Sequence, residues 1–185
     1  MGRFVLSDAT PLICLAQVDG LPWLSRLFGH VHLTRQVRDE VLTGLGKPGV
    51  EALSQAVERR LLRVHPEWDW PEPRFPSLGK GEASCIRAAV NLVKRSHDCL
   101  LLIDDREARR AASSLALTVS GTAAVVGMAK RTGLIASAGA VFDELRKKGF
   151  RISEAIVQGI LESVREEVGA KSPGKIGRRR GAPRS

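Results

Sequence analysis

Carboxylates that follow apolar runs are the residues of this chain best suited to chemistry. Asp8 follows the short run Phe4–Leu6, and the pair Asp104 and Asp105 follows the longer run Cys99–Ile103. Runs of this kind predict β-strands, and in open parallel sheets ligands bind beyond the carboxyl ends of the strands. We therefore expect Asp8 and the acidic pair to meet at one edge of a sheet, provided that their two strands are neighbours.

Helical phase selects two further carboxylates, Glu40 and Glu82. Glu40 shares one face of a predicted helix with Val37 and Val41, whereas Asp39 points elsewhere. Glu82 lies in the first turn of a later helix, in line with its apolar side. An unpaired buried carboxylate costs several kcal/mol, so both positions call for compensation. A salt bridge would serve Glu40 and the helix dipole would serve Glu82, and a metal ion would serve both.

Carboxylates at close range repel one another unless a cation neutralises them. All-oxygen ligand sets favour Mg²⁺ or Mn²⁺ over zinc, and such ions activate water and stabilise the leaving oxygen of a phosphodiester. Helix capping is the alternative for the acidic pair, because Asp104 with Glu107 three residues later resembles a capping box. Asp8 is harder to explain in this way, since Thr10 ahead of Pro11 is better placed to cap the first helix.

The elements that must position these acids alternate along the chain. Strands are predicted at about 4–6, 31–33, 61–64, 99–103 and 117–119. Helices are predicted at about 11–16, 23–28, 35–42, 50–60, 81–95, 106–115, 122–131, 138–148 and 153–168. Thr34 can cap the helix at 35–42, which should stop near Gly44 and Gly46, and Val93 is predicted on the packed side of the helix at 81–95. The prolines and tryptophans of 66–76 predict an irregular loop. The alternation predicts an α/β fold, in which a central, mostly parallel sheet of about five strands is flanked by helices.

Length and charge divide the chain into a body and a tail. The 185 residues fit one domain, which we place at 1–168. The net charge of +9 favours a polyanionic partner, but six of the cations lie in 169–185, a segment without acids. The composition of 169–185 is typical of a disordered basic tail, and holding RNA is the less frequent role of such a segment.

Composition also bears on the compartment. No apolar run approaches the roughly 20 residues that span a bilayer, and the apolar stretch at the start is too short for a signal peptide. The three cysteines Cys14, Cys85 and Cys99 lie far apart beside apolar residues and form no zinc pattern. We expect them to be buried free thiols and the protein to be cytoplasmic, without a membrane partner.

Several short motifs, taken in order, resemble the PIN-domain family. More narrowly they resemble the DUF3368 group, which is related to toxin nucleases of bacterial and archaeal toxin–antitoxin pairs. The motifs are Ser7–Ile13, Gly81–Ala83, Ile103–Arg106 with Arg109, Ser120–Thr122, and the closing segments 130–135, 145–146 and 149–153. Together they cover about residues 4–162, and the tail lies outside them.

The resemblance implies a PIN fold with an acidic Mg²⁺ or Mn²⁺ site that cuts RNA. It implies Asp8, Glu40, Glu82 and Asp105 as the catalytic acids, with Asp8, Glu82 and Asp105 holding metal and Asp104 as an alternative or additional ligand. It also implies a small antitoxin that blocks the acidic cleft. The protein would then be a metal-dependent ribonuclease and the toxin of such a pair.

Thr10, Arg106, Arg109 and Lys130 are the candidates for contact with RNA, and a solvated helix face is the alternative for the three basic residues. The apolar segment Leu21–Phe28 could serve a homodimer or an antitoxin, or pack in the core. A catalytically inactive PIN-like module that binds RNA or a protein partner remains the alternative function. A phosphatase of the haloacid dehalogenase type is disfavoured, because Thr10 stands where a second aspartate is needed. A phosphoacceptor receiver domain is disfavoured because the last strand does not end in a lysine.

Overall fold

Strands and helices alternate along residues 3–43 and 49–165, which are the part of the chain that the computed structural model describes. The strands are β1 (Phe4–Ser7), β2 (Val31–Thr34), β3 (Leu62–His65), β4 (Cys99–Leu102) and β5 (Thr118–Ser120). The helices are α1 (Ala9–Ala16), α2 (Leu21–Phe28), α3 (Arg35–Leu42), α4 (Val50–Glu58), α5 (Lys80–Lys94), α6 (Arg106–Ser114), α7 (Thr122–Arg131), α8 (Ala138–Lys147) and α9 (Glu154–Ser163). The predicted α/β fold is confirmed.

All pairings in the five-stranded sheet are parallel, in the order β3-β2-β1-β4-β5. Strands β1 and β4 are neighbours, with Ser7 beside Leu102, and the Asp8 N–H donates to the Leu102 carbonyl at 3.0 Å. The condition for bringing Asp8 near Asp104 and Asp105 is therefore met. Helices α1, α3, α6 and α7 begin where strands β1, β2, β4 and β5 end, so their first turns line this one edge of the sheet.

The core lies on both faces of the sheet, as expected of a parallel sheet covered by helices. Every residue of β4 is buried. A second apolar cluster, which includes Phe142 and Leu145, packs α8 and α9 against α7 and α1. The three cysteines are free and buried, as predicted. No helix within 3–43 and 49–165 has both the length and the apolar character needed to cross a bilayer.

The segment between β3 and α5 forms the predicted irregular loop and covers part of one sheet face. Trp68, in this loop, is 8% exposed and stacks on His65 with ring centroids 3.9 Å apart. Helix α2 also packs inward, since Leu21 and Leu24 are buried and Trp23 is half-buried against the core. Core packing therefore describes Leu21–Phe28 better than a free apolar surface does.

Several predicted boundaries differ from the observed ones. Helix α1 begins at Ala9, so Thr10 lies inside its first turn and is not the cap. Proline is tolerated at Pro11 because the first N–H groups of a helix have no partner in the helix. In α5 the predicted packed residue Val93 is 47% exposed. Small residues such as Ser84 and Ala88 are buried in this helix. A prediction from large apolar residues alone leaves them out, so it places the packed face too close to Val93.

Some predictions fall on residues outside the described ranges. They are the end of α3 near Gly44 and Gly46, the extension of α9 to 168, and the basic tail at 169–185. The one-domain boundary at 1–168 likewise stays a prediction.

Candidate active site

Asp8 occupies the N-cap position of α1, yet its side chain forms no capping hydrogen bond. The residue is only 2% exposed, and its Oδ1 is buried without a hydrogen-bond partner among the described residues. Burial raises the pKa of Asp8 from 3.8 to about 6; the backbone N–H of Ala9 opposes this, and the negative charges of Glu40 and Glu82 add to it. At Oδ1, the carboxylate lacks the hydrogen bond that a buried charge normally receives.

Gly81 brings the carboxylates of Asp8 and Glu40 together. A Cβ at this glycine would lie 2.5 Å from Glu40 Oε2 and 3.1 Å from Asp8 Oδ1, so both oxygens face the same bare backbone. Glu40 as a whole residue is exposed, while its helix neighbours Val37 and Val41 are buried. Partial burial of its carboxyl group, with the charge of Glu82, raises the pKa of Glu40.

Glu82 is tied to the start of its own helix. Its Oε2 accepts the backbone N–H of Gly79 at 2.8 Å, which is the reciprocal half of a capping box. The expected helix-terminus role of Glu82 is therefore present. Its Oε1 makes no hydrogen bond to the described residues and remains available to a ligand.

A buried hydroxyl network fixes the helices that carry Glu40 and Glu82. Ser84 Oγ donates to the Gly81 carbonyl at 2.7 Å, and the Thr34 and Ser84 hydroxyl oxygens lie 2.6 Å apart. Thr34 Oγ1 also accepts the N–H of Val37 and so caps α3. All these bonds are satisfied together when Thr34 donates to Ser84 and Ser84 donates to Gly81. The network joins the first turns of α3 and α5, and the sequence predicted only its capping bond.

Asp104 and Asp105 cap two different helices. Asp105 is exposed, and its Oδ1 accepts the N–H of Ala108 at 2.8 Å as the N-cap of α6. Asp104 accepts the N–H of Thr122 at 2.8 Å and its hydroxyl at 2.5 Å, at the start of α7. The suggested capping box from Asp104 to Glu107 is wrong, because the cap of α6 is the next residue along. Both aspartates have a structural role in addition to any chemical one.

The five acids therefore form two groups along one edge of the sheet. Asp8, Glu40 and Glu82 act on one another electrostatically, whereas the charge of Asp104 acts on Cys14 of α1. Within 3–43 and 49–165, no three Asp, Glu, His or Cys side chains lie close enough together to form a metal-binding group as placed. The predicted convergence of all five on one point is not observed.

The donor chemistry of the first group nevertheless fits a hard divalent cation. Asp8 Oδ1 is a buried oxygen without a partner, and it shares the space above Gly81 with Glu40 Oε2. Carboxylate oxygens are the ligands that Mg²⁺ and Mn²⁺ prefer. A cation there would offset the burial that mainly raises the pKa values of Asp8 and Glu40, and also the carboxylate repulsion that adds to it.

The four residues proposed for RNA contact fall into two kinds. Thr10 in the first turn of α1 and Arg106 in the first turn of α6 are exposed. Arg109 donates from Nη1 to the carbonyls of Ile103 and Ser120, and Lys130 Nζ donates to the carbonyl of Ala136. The first two are open to a ligand, and the other two already bind the backbone.

A family model supports the resemblance of the motifs. The model of DUF3368, described as a PIN domain, matches residues 4–166. No curated protein matches the chain at a significant level. The matched range contains all five acids and ends close to the last described residue.

Proposed function

The chain belongs to the PIN-domain family, whose members are generally nucleases, and from that premise we propose that it hydrolyses RNA phosphodiesters with Mg²⁺ or Mn²⁺. One observation carries the proposal: the buried oxygen of Asp8 without a partner, which shares the space above Gly81 with Glu40. A purely structural carboxylate at a helix start would cap the helix, and Asp8 does not.

Asp8 and Glu82 would hold the ion, and Glu40 would complete the set of ligands. Asp104 or Asp105 would lie next to these ligands along the same edge of the sheet. A bound ion would supply a more acidic water and charge neutralisation at the phosphate. The raised pKa of Glu40 suits Oε2 for accepting a proton from the attacking water. Gly81, without a side chain, leaves room for the carboxylate oxygens of Asp8 and Glu40 to approach each other.

Exposed groups at neighbouring helix starts would orient the RNA. The first turns of α1 and α6 present the Thr10 hydroxyl and the Arg106 guanidinium at the same edge as the acids. Helix N-termini favour anions, so a phosphate near these residues would find both backbone dipoles and a cation.

The motif set resembles toxin nucleases of toxin–antitoxin pairs, and on that basis the protein is a toxin whose small antitoxin covers the acidic edge. The body of the chain is only mildly basic once the tail cations are set aside, so contact with RNA must depend on local charges.

The test is cleavage of a fluorophore-labelled RNA by wild type, Asp8→Asn and the matched control Asp39→Asn. Asp39 is an exposed acid beside Glu40, paired with Arg38. We expect cleavage only with Mg²⁺ or Mn²⁺, a rate at least about 100-fold lower for Asp8→Asn, and no change for Asp39→Asn. Equal cleavage by wild type and Asp8→Asn, or full cleavage in excess EDTA, would refute the proposed site.

A second candidate is an inactive PIN-like module that only binds RNA or a protein partner. The observation that favours it is the use of both Asp104 and Asp105 as helix caps, outside the group formed by Asp8, Glu40 and Glu82. Binding of the same labelled RNA by the wild-type protein, without cleavage at any Mg²⁺ or Mn²⁺ concentration, would establish this alternative.

A further inference from the structure

The guanidinium of Arg109 is engaged inside the protein. Its Nη1 donates to the Ile103 carbonyl at 2.8 Å and to the Ser120 carbonyl at 2.7 Å, and the residue is half-buried. Within the described part of the chain it forms no salt bridge, so its charge is directed at these two carbonyls. A phosphate bound at Nη1 would have to displace both bonds.

The two carbonyls belong to the last rung between β4 and β5. Ile103 directly follows β4 and Ser120 ends β5, and the Ile103 N–H donates to the Ser120 carbonyl at 3.0 Å. The Ser120 carbonyl therefore accepts from both Ile103 and Arg109, which uses both of its lone pairs. Arg109 closes the sheet at the point where the ladder of backbone bonds stops.

Gly121 lies between Arg109 and the acid that caps α7. A Cβ at this glycine would lie 2.5 Å from Asp104 Oδ1 and 3.3 Å from Arg109 Nη1. The backbone here is extended, with φ −150°, so space rather than conformation requires the glycine. Asp104 directly follows Ile103, and Thr122, whose N–H and hydroxyl both donate to Asp104, lies two residues after Ser120.

We propose that Arg109 is a positioning residue of the acidic edge: by joining the ends of β4 and β5 it fixes where Asp104 and Thr122 stand relative to Asp8. This rests on the proposed function for the role of Asp104 in the reaction, while the anchoring itself does not. It replaces RNA contact, the role first expected for Arg109. Its helix neighbours Arg106 and Arg110 are exposed and make no such bonds in the described chain.

The test compares Arg109→Met and Arg109→Lys with the control Arg110→Met on the same helix. Two quantities are measured: kcat and KM for RNA cleavage with Mn²⁺, and the hydrogen-exchange rate of the Thr122 amide without metal. We expect Arg109→Met to lower kcat at least tenfold with KM within about twofold, and to speed Thr122 exchange at least tenfold. Arg109→Lys, which keeps a donor but loses the planar fork, is expected to be intermediate in both. Arg110→Met should leave kcat, KM and Thr122 exchange unchanged.

A rise in KM at constant kcat, with the slope of log affinity against log salt reduced by about 0.7, would identify Arg109 as a phosphate contact and overturn the proposal. Thr122 exchange at the wild-type rate in Arg109→Met would also overturn it. If Arg109→Met does not fold, Arg109→Lys decides: intermediate exchange and kcat support positioning, and wild-type values refute it. If wild type itself cleaves no RNA, the proposed function fails, while Thr122 exchange still tests the anchor.

Discussion

Neutralising Asp8 should stabilise the metal-free protein above pH 7. Folding raises the pKa of Asp8 from 3.8 to about 6, mainly through burial. Two pKa units correspond to about 3 kcal/mol. The folded state binds this proton more tightly than the unfolded state does, so protonated Asp8 contributes to the free energy of unfolding. This contribution is fully present below about pH 4 and is lost as pH rises through about 6. Asp8→Asn, a nearly isosteric neutral change, should escape that loss.

The assay is urea unfolding in EDTA at several values between pH 4 and pH 8, for wild type, Asp8→Asn and Asp39→Asn. The free energy of unfolding of Asp8→Asn should match wild type near pH 4 and exceed it by about 3 kcal/mol at pH 8. Asp39→Asn should stay within about 0.5 kcal/mol of wild type, as for other exposed positions. The reasoning is refuted if Asp8→Asn is less stable than wild type at pH 8, or if the difference does not vary with pH.

Three further predictions concern the surroundings of the acids. Gly81→Ala should slow cleavage at least about tenfold, because the new Cβ would lie 2.5 Å from a carboxylate oxygen of the site. The control is Gly159→Ala in α9, where nothing lies within 4 Å of the new Cβ. It should add about 0.5–1 kcal/mol of stability and leave cleavage unchanged. Ser84→Ala removes the acceptor of a buried hydroxyl, so urea unfolding should show a loss of about 1–3 kcal/mol; a loss below 0.5 would contradict the inferred network. Asp105→Ala should lose about 1 kcal/mol with its cap, and Asp105→Ser should keep that stability but lose cleavage; unchanged cleavage by Asp105→Ser would leave Asp105 as a helix cap only.

Much of the fold follows from local patterns in the sequence. Cys99–Leu102 is apolar throughout, and the structure buries it as a strand between β1 and β5. Thr34 caps α3 as its position predicted, and α3 has the predicted bounds. These features depend on residues a few positions apart, which periodicity and capping preferences describe well.

The arrangement of the site depends on contacts between distant residues. The bond from Thr122 to Asp104 spans 18 positions, and the Thr34–Ser84 contact spans 50. No local pattern indicates that Asp104 caps α7, a helix that begins one strand later. Residue types and helical phase predicted the five candidate acids, but their division into two groups depends on how distant helices and strands pack.

The most direct test of the acidic site is a calorimetric titration of Mn²⁺ into the RNA-free protein at pH 8. Wild type and Asp39→Asn should bind Mn²⁺ with the same affinity, and Asp8→Asn and Glu82→Gln should bind it at least about tenfold more weakly. Equal Mn²⁺ affinity in wild type and Asp8→Asn would contradict the claim that this buried carboxylate holds the metal.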